Sequence, residues 1–413
     1  MWRDTILENQ QRIMKLKVVP RYISFPEEVL GLNKIFSVVG PRRSGKTFYL
    51  ASVIKELVRK NKLEYEQLVW IDFAELDILN ADFISIKLEF KQLYPDLEPY
   101  FVFDELQEVP NFTSSLIQLY NQGDPIFVTG SNANLLSQEL ATQLRGRNFE
   151  QKVLPLSFKE YLKFNTKDYS GPLSRSKKAV LKSHLDTFLK YGGYPELALV
   201  ESPDLKRSLL DNYYKTIVFQ DLMDRYKIRN EYALKYLMKR LVMNIGKATS
   251  VHRIYNELKS QNLKISKNTL YEYLEFLENI FWVFPVNNYA NPKGQKKYYL
   301  YDPGFIEILH PDVQKGPSLE NAVFVEEKRL GKELFYLSSG SWEIDLYSPE
   351  TSTATKICQL LTPQNVRRET AVLEKQIFNS KRLLYAQSES LLSNISTEIE
   401  QIETIDYFLA NRK

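Results

Sequence analysis

The sequence predicts an α/β protein whose first third is a parallel sheet covered by helices. Three observations carry this expectation. Strand-like apolar runs alternate with helix-like segments from about Lys34 to Ser137. A glycine turn, Gly40–Thr47, joins one such strand to one such helix. Beyond Gly316, helix and strand signals mix again. At 413 residues the chain is too long for one compact core, so two or three domains are expected.

The elements follow in order. Met1-Trp2-Arg3-Asp4-Thr5 leads into a polar, helix-like run with Glu8, Gln10 and Arg12, without the apolar centre of a secretion signal. Ile35–Val39 is a β-run ending in glycine. Phe48–Lys60 is helical, with Leu50, Val53, Ile54 and Leu57 on one face. Leu68–Phe73, Tyr100–Phe103 and Pro125–Thr129 read as buried strands, and Phe83–Leu93 and Thr113–Tyr120 as the crossover helices. From Ser157 to about Met243 the pattern turns helical, broken at Tyr191-Gly192-Gly193-Tyr194-Pro195. Between Leu237 and Asp302, two helices, a third long helix and a β-hairpin suggest a winged helix. Leu319–Lys328 then reads as helix, and Glu333–Leu337, Trp342–Tyr347 and Lys356–Leu361 as strands. The expected domains are therefore 1–155 (the α/β core), 156–235 (a helical segment), 236–312 (a winged helix) and 313–413 (a small α/β domain).

Composition sets the outer limits. Hydrophobic residues make up 44% and charged residues 26%, as in ordinary globular proteins. The most apolar stretches are strand-sized, so no membrane span is expected. One cysteine, Cys358, excludes an intramolecular disulfide, and three histidines make a Cys/His zinc site a poor reading. A reducing, cytoplasmic location follows. The net charge of +4 permits nucleic-acid contact without demanding it.

The strongest local signal is Gly40-Pro41-Arg42-Arg43-Ser44-Gly45-Lys46-Thr47, a full match to G-x-x-x-x-G-K-[ST]. It lies after an apolar strand and before an amphipathic helix, where a P-loop works. Glycines let successive backbone N–H groups face phosphate oxygens, and the helix start adds its positive dipole end, with Phe48 next along it. Lys46 is expected to reach the β- and γ-phosphates of ATP, and the Thr47 hydroxyl to ligate Mg²⁺. Tyr100-Phe101-Val102-Phe103-Asp104-Glu105 supplies the other half. Asp104, emerging from the strand, is placed to hold Mg²⁺, and Glu105 to act as general base on the attacking water. Ser131 or Asn132, past the strand Ile126–Thr129, is a candidate for the γ-phosphate or the water; both types also cap helices. Arg145 and Arg147 read equally as an arginine finger, in cis or across a subunit interface, and as a solvated basic turn.

Taken together, these pieces resemble the AAA+/STAND-like P-loop ATPases of bacteria and archaea that end in a restriction-endonuclease-like domain of unknown function. The resemblance extends through Thr129-Gly130-Ser131, Leu144-Arg145-Gly146-Arg147, Leu154-Pro155-Leu156-Ser157-Phe158, Gly192-Gly193-Tyr194-Pro195-Glu196 and Leu319-Glu320-Asn321. It implies a P-loop NTPase core, a helical lid, a winged helix and the C-terminal domain. It also implies that Pro195 lies near adenine, whereas the residue types alone say only that the glycines and proline break a helix.

In the winged-helix segment, Ser250–Lys259 and Ser266–Asn279 give helix, turn, helix. Lys264, Lys267, Asn268 and Tyr271 fall near the start of the second helix, the end that enters a major groove. Lys293, Lys296 and Lys297 flank Gly294 in the hairpin and are candidates for phosphate contact. Glu272, Glu275 and Glu278 oppose DNA on the same helix, and a rigid spacer is the competing reading. In the C-terminal domain, a nuclease of the restriction type needs a helical acid, an Asp on a strand and a Glu-x-Lys on the next strand. Glu320 and Asp345 stand for the first two; Gln359 and Leu361 stand where the Glu and the Lys would be, so a fold without cleavage is expected. The sequence thus reads as a Mg²⁺-dependent ATPase acting as a switch or motor, on DNA or with a homo-oligomeric or other protein partner. The alternative is an ATP-bound regulator or adaptor without turnover.

Overall fold

The strand ahead of the glycine turn, β1 (Ile35–Val39), is buried at every residue, as a strand covered on both faces must be. The computed structural model describes residues 2–75, 82–131, 146–165, 174–311, 315–340, 342–389 and 395–410. They divide into two units, one running to Leu154 and including Asn279–Phe281, the other taking up the rest.

In the first unit, α1 (Trp2–Lys15) precedes β1, and α2 (Lys46–Arg59) follows it. Then come β2 (Leu68–Asp72), α3 (Phe83–Leu93), β3 (Tyr100–Asp104), α4 (Phe112–Tyr120), β4 (Ile126–Gly130) and β5 (Asn148–Lys152). The sheet order is β2-β3-β4-β1-β5, with every pairing parallel. Leu50, Val53, Ile54 and Leu57 of α2 pack into a core with Val38, Trp70, Val102 and Phe127. Burying each such side chain stabilises by about 1.5–3 kcal/mol. The α1 amides of Asn9 and Gln10 donate to the carbonyls of Trp70, Leu68 and Glu66 along the outer strand β2. The α/β core expected from the sequence is thus present; β5, a polar stretch, carries no strand signal and was not anticipated.

The second unit begins with helices α5 (Phe158–Phe164), α6 (Arg175–Tyr191), the short α7 (Pro195–Ala198) and α8 (Pro203–Thr216), which continues as a π-helical turn, Ile217–Asp224. Three helices follow, α9 (Glu231–Met243), α10 (Val251–Ser260) and α11 (Lys267–Asn279), the last two entered through Ser250 and Ser266 hydroxyls that accept backbone N–H bonds. The antiparallel pair β6 (Val283–Val286) and β7 (Lys297–Leu300) comes next, and Thr249 bridges to Lys296 beside it. After α12 (Gly304–Leu309) and α13 (Lys315–Arg329), strands β8 (Phe335–Ser339), β9 (Trp342–Ser348), β10 (Thr353–Leu361), β11 (Ser380–Ser388) and β12 (Ile399–Glu403) form a mixed sheet. Its order is β12-β11-β10-β9-β8, with α14 (Val366–Lys375) crossing between the parallel β10 and β11 and α15 (Thr404–Leu409) following β12.

Candidate functional site

The register of the first sheet decides which side chains meet. Asp72 of β2 lies beside Asp104 of β3, Phe103 beside Val128, and Thr129 of β4 beside Val38 of β1. The carboxyl ends of four strands therefore converge where the Gly40–Thr47 loop leaves β1. Gly40 is required by close approach, since a Cβ there would lie 2.1 Å from the Val153 carbonyl oxygen. Inside the loop, the Ser44 N–H donates to Pro41 (3.2 Å), and the Lys46 Nζ donates to the same carbonyl (3.2 Å). Ser44 and Lys46 are buried, Arg42 is half-buried, and Arg43 and Phe48 are exposed. The Ser44 hydroxyl is buried with no hydrogen-bond partner.

Lys46 Nζ stands 3.4 Å from Glu105 Oε1. Burial alone would raise the Glu105 pKa, but the Lys46 ammonium and the Gln107 amide outweigh it and hold the carboxyl below its usual value. Glu105 has φ +51°, a left-handed conformation that costs a non-glycine residue roughly 1–2 kcal/mol. Its N–H donates to Thr129 Oγ1 at 2.9 Å, and the Thr129 hydroxyl donates onward to Asp104 Oδ1. One buried hydroxyl thus fixes both acids of the Asp-Glu pair. Burial pushes the Asp104 carboxyl up to about 6, against the pull of the Thr129 hydroxyl.

Asp104 Oδ2 is buried and unpartnered, and the Thr47 hydroxyl is among the groups that pull the Asp104 carboxyl down against burial. Among the described residues, no three His, Cys, Asp or Glu side chains form a metal cage. One orphaned carboxylate oxygen beside a hydroxyl at a helix start fits Mg²⁺, which takes few protein ligands and keeps its water.

Sequence reasoning missed three residues here. Thr129 stands inside a motif singled out for other positions, Gln107 lies two residues past the acidic pair, and Arg21 lies far upstream. Arg21 holds the loop from outside, with Nη1 on the Ser44 carbonyl (3.0 Å) and Nη2 on Leu154 (2.9 Å). A lone arginine in an irregular segment carries no sequence signal. Ser131 follows β4, buried, within 3.3 Å of Gln107 Nε2. Asn132 and Arg145 lie outside the described residues.

Arg147 requires a correction. Its carbonyl accepts from the Ile35 N–H (2.9 Å), and its guanidinium sits 5.2 Å from the Tyr120 ring centroid. That is the amino end of β1, with roughly 15 Å of strand at about 3.3 Å per residue separating it from the loop. Arg147 cannot serve as a finger in cis.

In the second unit, Pro195 opens α7. The glycines before it answer to Asp302, which is fully buried and pushed up to about 6 by that burial. Asp302 accepts from Gly193 N–H (2.7 Å) and Gly304 N–H (2.8 Å). Lys264, Lys267, Asn268, Lys293 and Tyr271 are exposed, and Lys296 is half-buried. Lys297 is a second correction: it is wholly buried, 2.7 Å from Glu343 and 3.6 Å from Glu320. All four residues of β7 are buried, Lys297 among them, while its neighbour Lys296, just outside the strand, is half-buried. Burial works to lower the Lys297 pKa, but Glu320, Asp345 and Glu343 outweigh it and hold the ammonium above its usual value. Tyr299 donates to Glu320 (2.6 Å), whose carboxyl is raised mainly by burial.

The third correction concerns β10. Lys356, not Gln359, lies against Asp345, at 2.8 Å, and the Ile357 N–H donates to the other carboxylate oxygen at 2.7 Å. By strand alternation Cys358 shares the face of Lys356, and Gln359 belongs to the opposite one. Glu320 and Asp345 are thus engaged by Lys297 and Lys356. Asn321, next to Glu320, is spent on the β7 backbone, exchanging bonds with Leu300.

Residues 32–162 match an AAA domain, and residues 182–312 match a domain of unknown function (DUF8612). The chain is 35% identical over 393 residues to the uncharacterized protein MJ1544 of Methanocaldococcus jannaschii, covering 92% of this chain and 86% of that one. It is 31% identical over 324 residues to an uncharacterized protein of Haemophilus influenzae, covering 75% and 78%. Among solved structures, PCH-2 of C. elegans aligns over 52% of this chain and 67% of its own at 12% identity, with a TM-score of 0.27, too loose a likeness to argue from.

Proposed function

The chain belongs to the same family as MJ1544 and carries an AAA-type P-loop ATPase domain, and on that premise we propose that it hydrolyses ATP with Mg²⁺ and uses the turnover as a switch or motor. The observation that carries this reading is the convergence of Lys46, Asp104 and Glu105 at one end of the sheet, with Asp104 Oδ2 and Ser44 Oγ buried and unpartnered beside them. Those two atoms and the loop amides are groups a magnesium triphosphate would satisfy.

The loop N–H groups and Lys46 bind the phosphates, and Thr47 and Asp104 would hold Mg²⁺, which neutralises phosphate charge. Glu105 then accepts a proton from water. The water oxygen bonds to the γ-phosphorus as the bond to the bridging oxygen breaks, and that oxygen keeps the electron pair, giving ADP and phosphate. Ser131 is read as a contact for the γ-phosphate or the attacking water. Arg147, remote from its own loop, is assigned to a neighbouring copy, where a guanidinium can stabilise transition-state charge.

We read α9–α11 with the β6–β7 hairpin as a winged helix that touches DNA phosphates through Lys264, Lys267, Lys293 and Lys296, with Asn268 and Tyr271 beside them. The C-terminal sheet is read as an assembly or partner-binding module. Phosphate release from ATP, with and without duplex DNA, tests these readings together. Turnover is expected in the parent, absent in Lys46→Ala and strongly reduced in Glu105→Gln. Binding of ATP without turnover in the parent would leave a regulator instead.

A further inference from the structure

Two side-chain partners of Glu105 differ in character. One is Lys46, 3.4 Å away, which a bound triphosphate also attracts. The other is Gln107, in the turn after β3, whose Nε2 donates to the Glu105 carboxylate and lies 3.3 Å from Ser131 Oγ. The same nitrogen has a longer, 3.4 Å approach to Glu108. Gln107 Oε1 is buried and has no hydrogen-bond partner, so the amide is held in place through its nitrogen. Ser131, 3% exposed, closes β4 one residue after Gly130.

We propose that Gln107 is the positioning residue that ties the base Glu105 to Ser131, so that a displacement at Ser131 reorients the carboxylate; this rests on the hydrolysis reading above. The physical case is one of geometry. A primary amide is planar, and its two N–H directions are fixed about 120° apart. A single NH₂ group bonded to both a carboxylate and a hydroxyl therefore sets the angle between them. An ammonium drawn onto phosphate loosens its hold on Glu105, whereas the amide is neutral and is not drawn in the same way. Gln107 then remains as a neutral side-chain contact that keeps Glu105 aligned, and Ser131 is the group through which the end of β4 is reported. Thr129 fixes the backbone of Glu105 independently.

The test is steady-state ATP turnover of the full chain carrying Gln107→Met, Gln107→Asn, Ser131→Ala, and Gln107→Met with Ser131→Ala. Methionine keeps the length and removes the amide; asparagine keeps the amide and withdraws it by one methylene. Each single variant is expected to lose about tenfold or more in kcat, with KM for ATP within about twofold of the parent. The double variant is expected to be no worse than the poorer single, as for two links of one chain. Parent kcat in either Gln107 variant, KM rising in step with the loss, or a double-variant loss equal to the product of the singles overturns the proposal. A parent with no turnover sinks the hydrolysis reading itself, and shows this before any variant is compared.

Discussion

The carboxylate of Asp302 occupies the space that a side chain on Gly192 would need: an added Cβ would lie 1.8 Å from Oδ1. With φ at +80°, Gly192 is also in the left-handed region, so two independent constraints demand glycine. Gly192→Ala is expected to destabilise the chain by about 2 kcal/mol or more. In an Asp302→Ala background the collision disappears and only the backbone strain, about 1 kcal/mol, should remain. Thermal unfolding of the four proteins measures both, and equal penalties in the two backgrounds would refute the assignment.

Asp302 also gives a pH dependence. Its folded value of about 6 lies above the roughly 3.9 of an unfolded aspartate. The native state therefore prefers the protonated form. This contribution is full below about pH 4, declines as pH rises, and is gone above about pH 6, a difference of roughly 3 kcal/mol. Asp302→Asn does not titrate, so its stability relative to the parent should rise between pH 4 and pH 7. A flat difference across that range would contradict the burial argument.

Thr129→Val keeps shape and burial and removes the hydroxyl between Asp104 and Glu105. It leaves the Glu105 N–H and one Asp104 oxygen unpaired, at about 1–3 kcal/mol each. Turnover is expected to fall about tenfold or more, while Thr129→Ser restores most of it. Stopped or steady-state phosphate release distinguishes the two substitutions.

The lysines of the second unit separate by role. Lys297→Met leaves Glu320 buried without its cation and is expected to destabilise by about 2–4 kcal/mol. Lys264→Ala with Lys267→Ala should leave unfolding unchanged and lower affinity for duplex DNA, with a shallower salt dependence by roughly one unit per lost contact. Titration of a fluorescent duplex at several salt concentrations reads this, and an unchanged slope would remove those lysines from the interface.

No Mg²⁺-dependent DNA cleavage is expected from the C-terminal sheet, because Lys297 and Lys356 already engage Glu320 and Asp345. Nicking of plasmid DNA that disappears in Asp345→Ala would reverse this.

Much of the first unit was legible because buried parallel strands must be continuously apolar and a P-loop is a local motif. β1 and α3 fall where the apolar runs begin and end. β5 was not legible: Asn148, Glu150, Gln151 and Lys152 make a polar edge strand without periodicity. Thr129 and Gln107 gain their places through contacts across 24 residues, which no local pattern encodes. Lys296 and Lys297 are identical in type and adjacent, yet one is half-buried and the other wholly buried, a difference set by tertiary contacts and not by residue type. Lys356 against Asp345 depended on the alignment of two strands, where a slip of one residue exchanges faces.

The amides that Asn9 and Gln10 extend over β2 bear on how copies of this chain can aggregate or stack. An outer strand with open carbonyls is a template for a foreign strand, and here those acceptors are already taken by the chain's own helix. Truncating the first 15 residues would uncover that template and leave an edge prone to pairing with a strand of another copy.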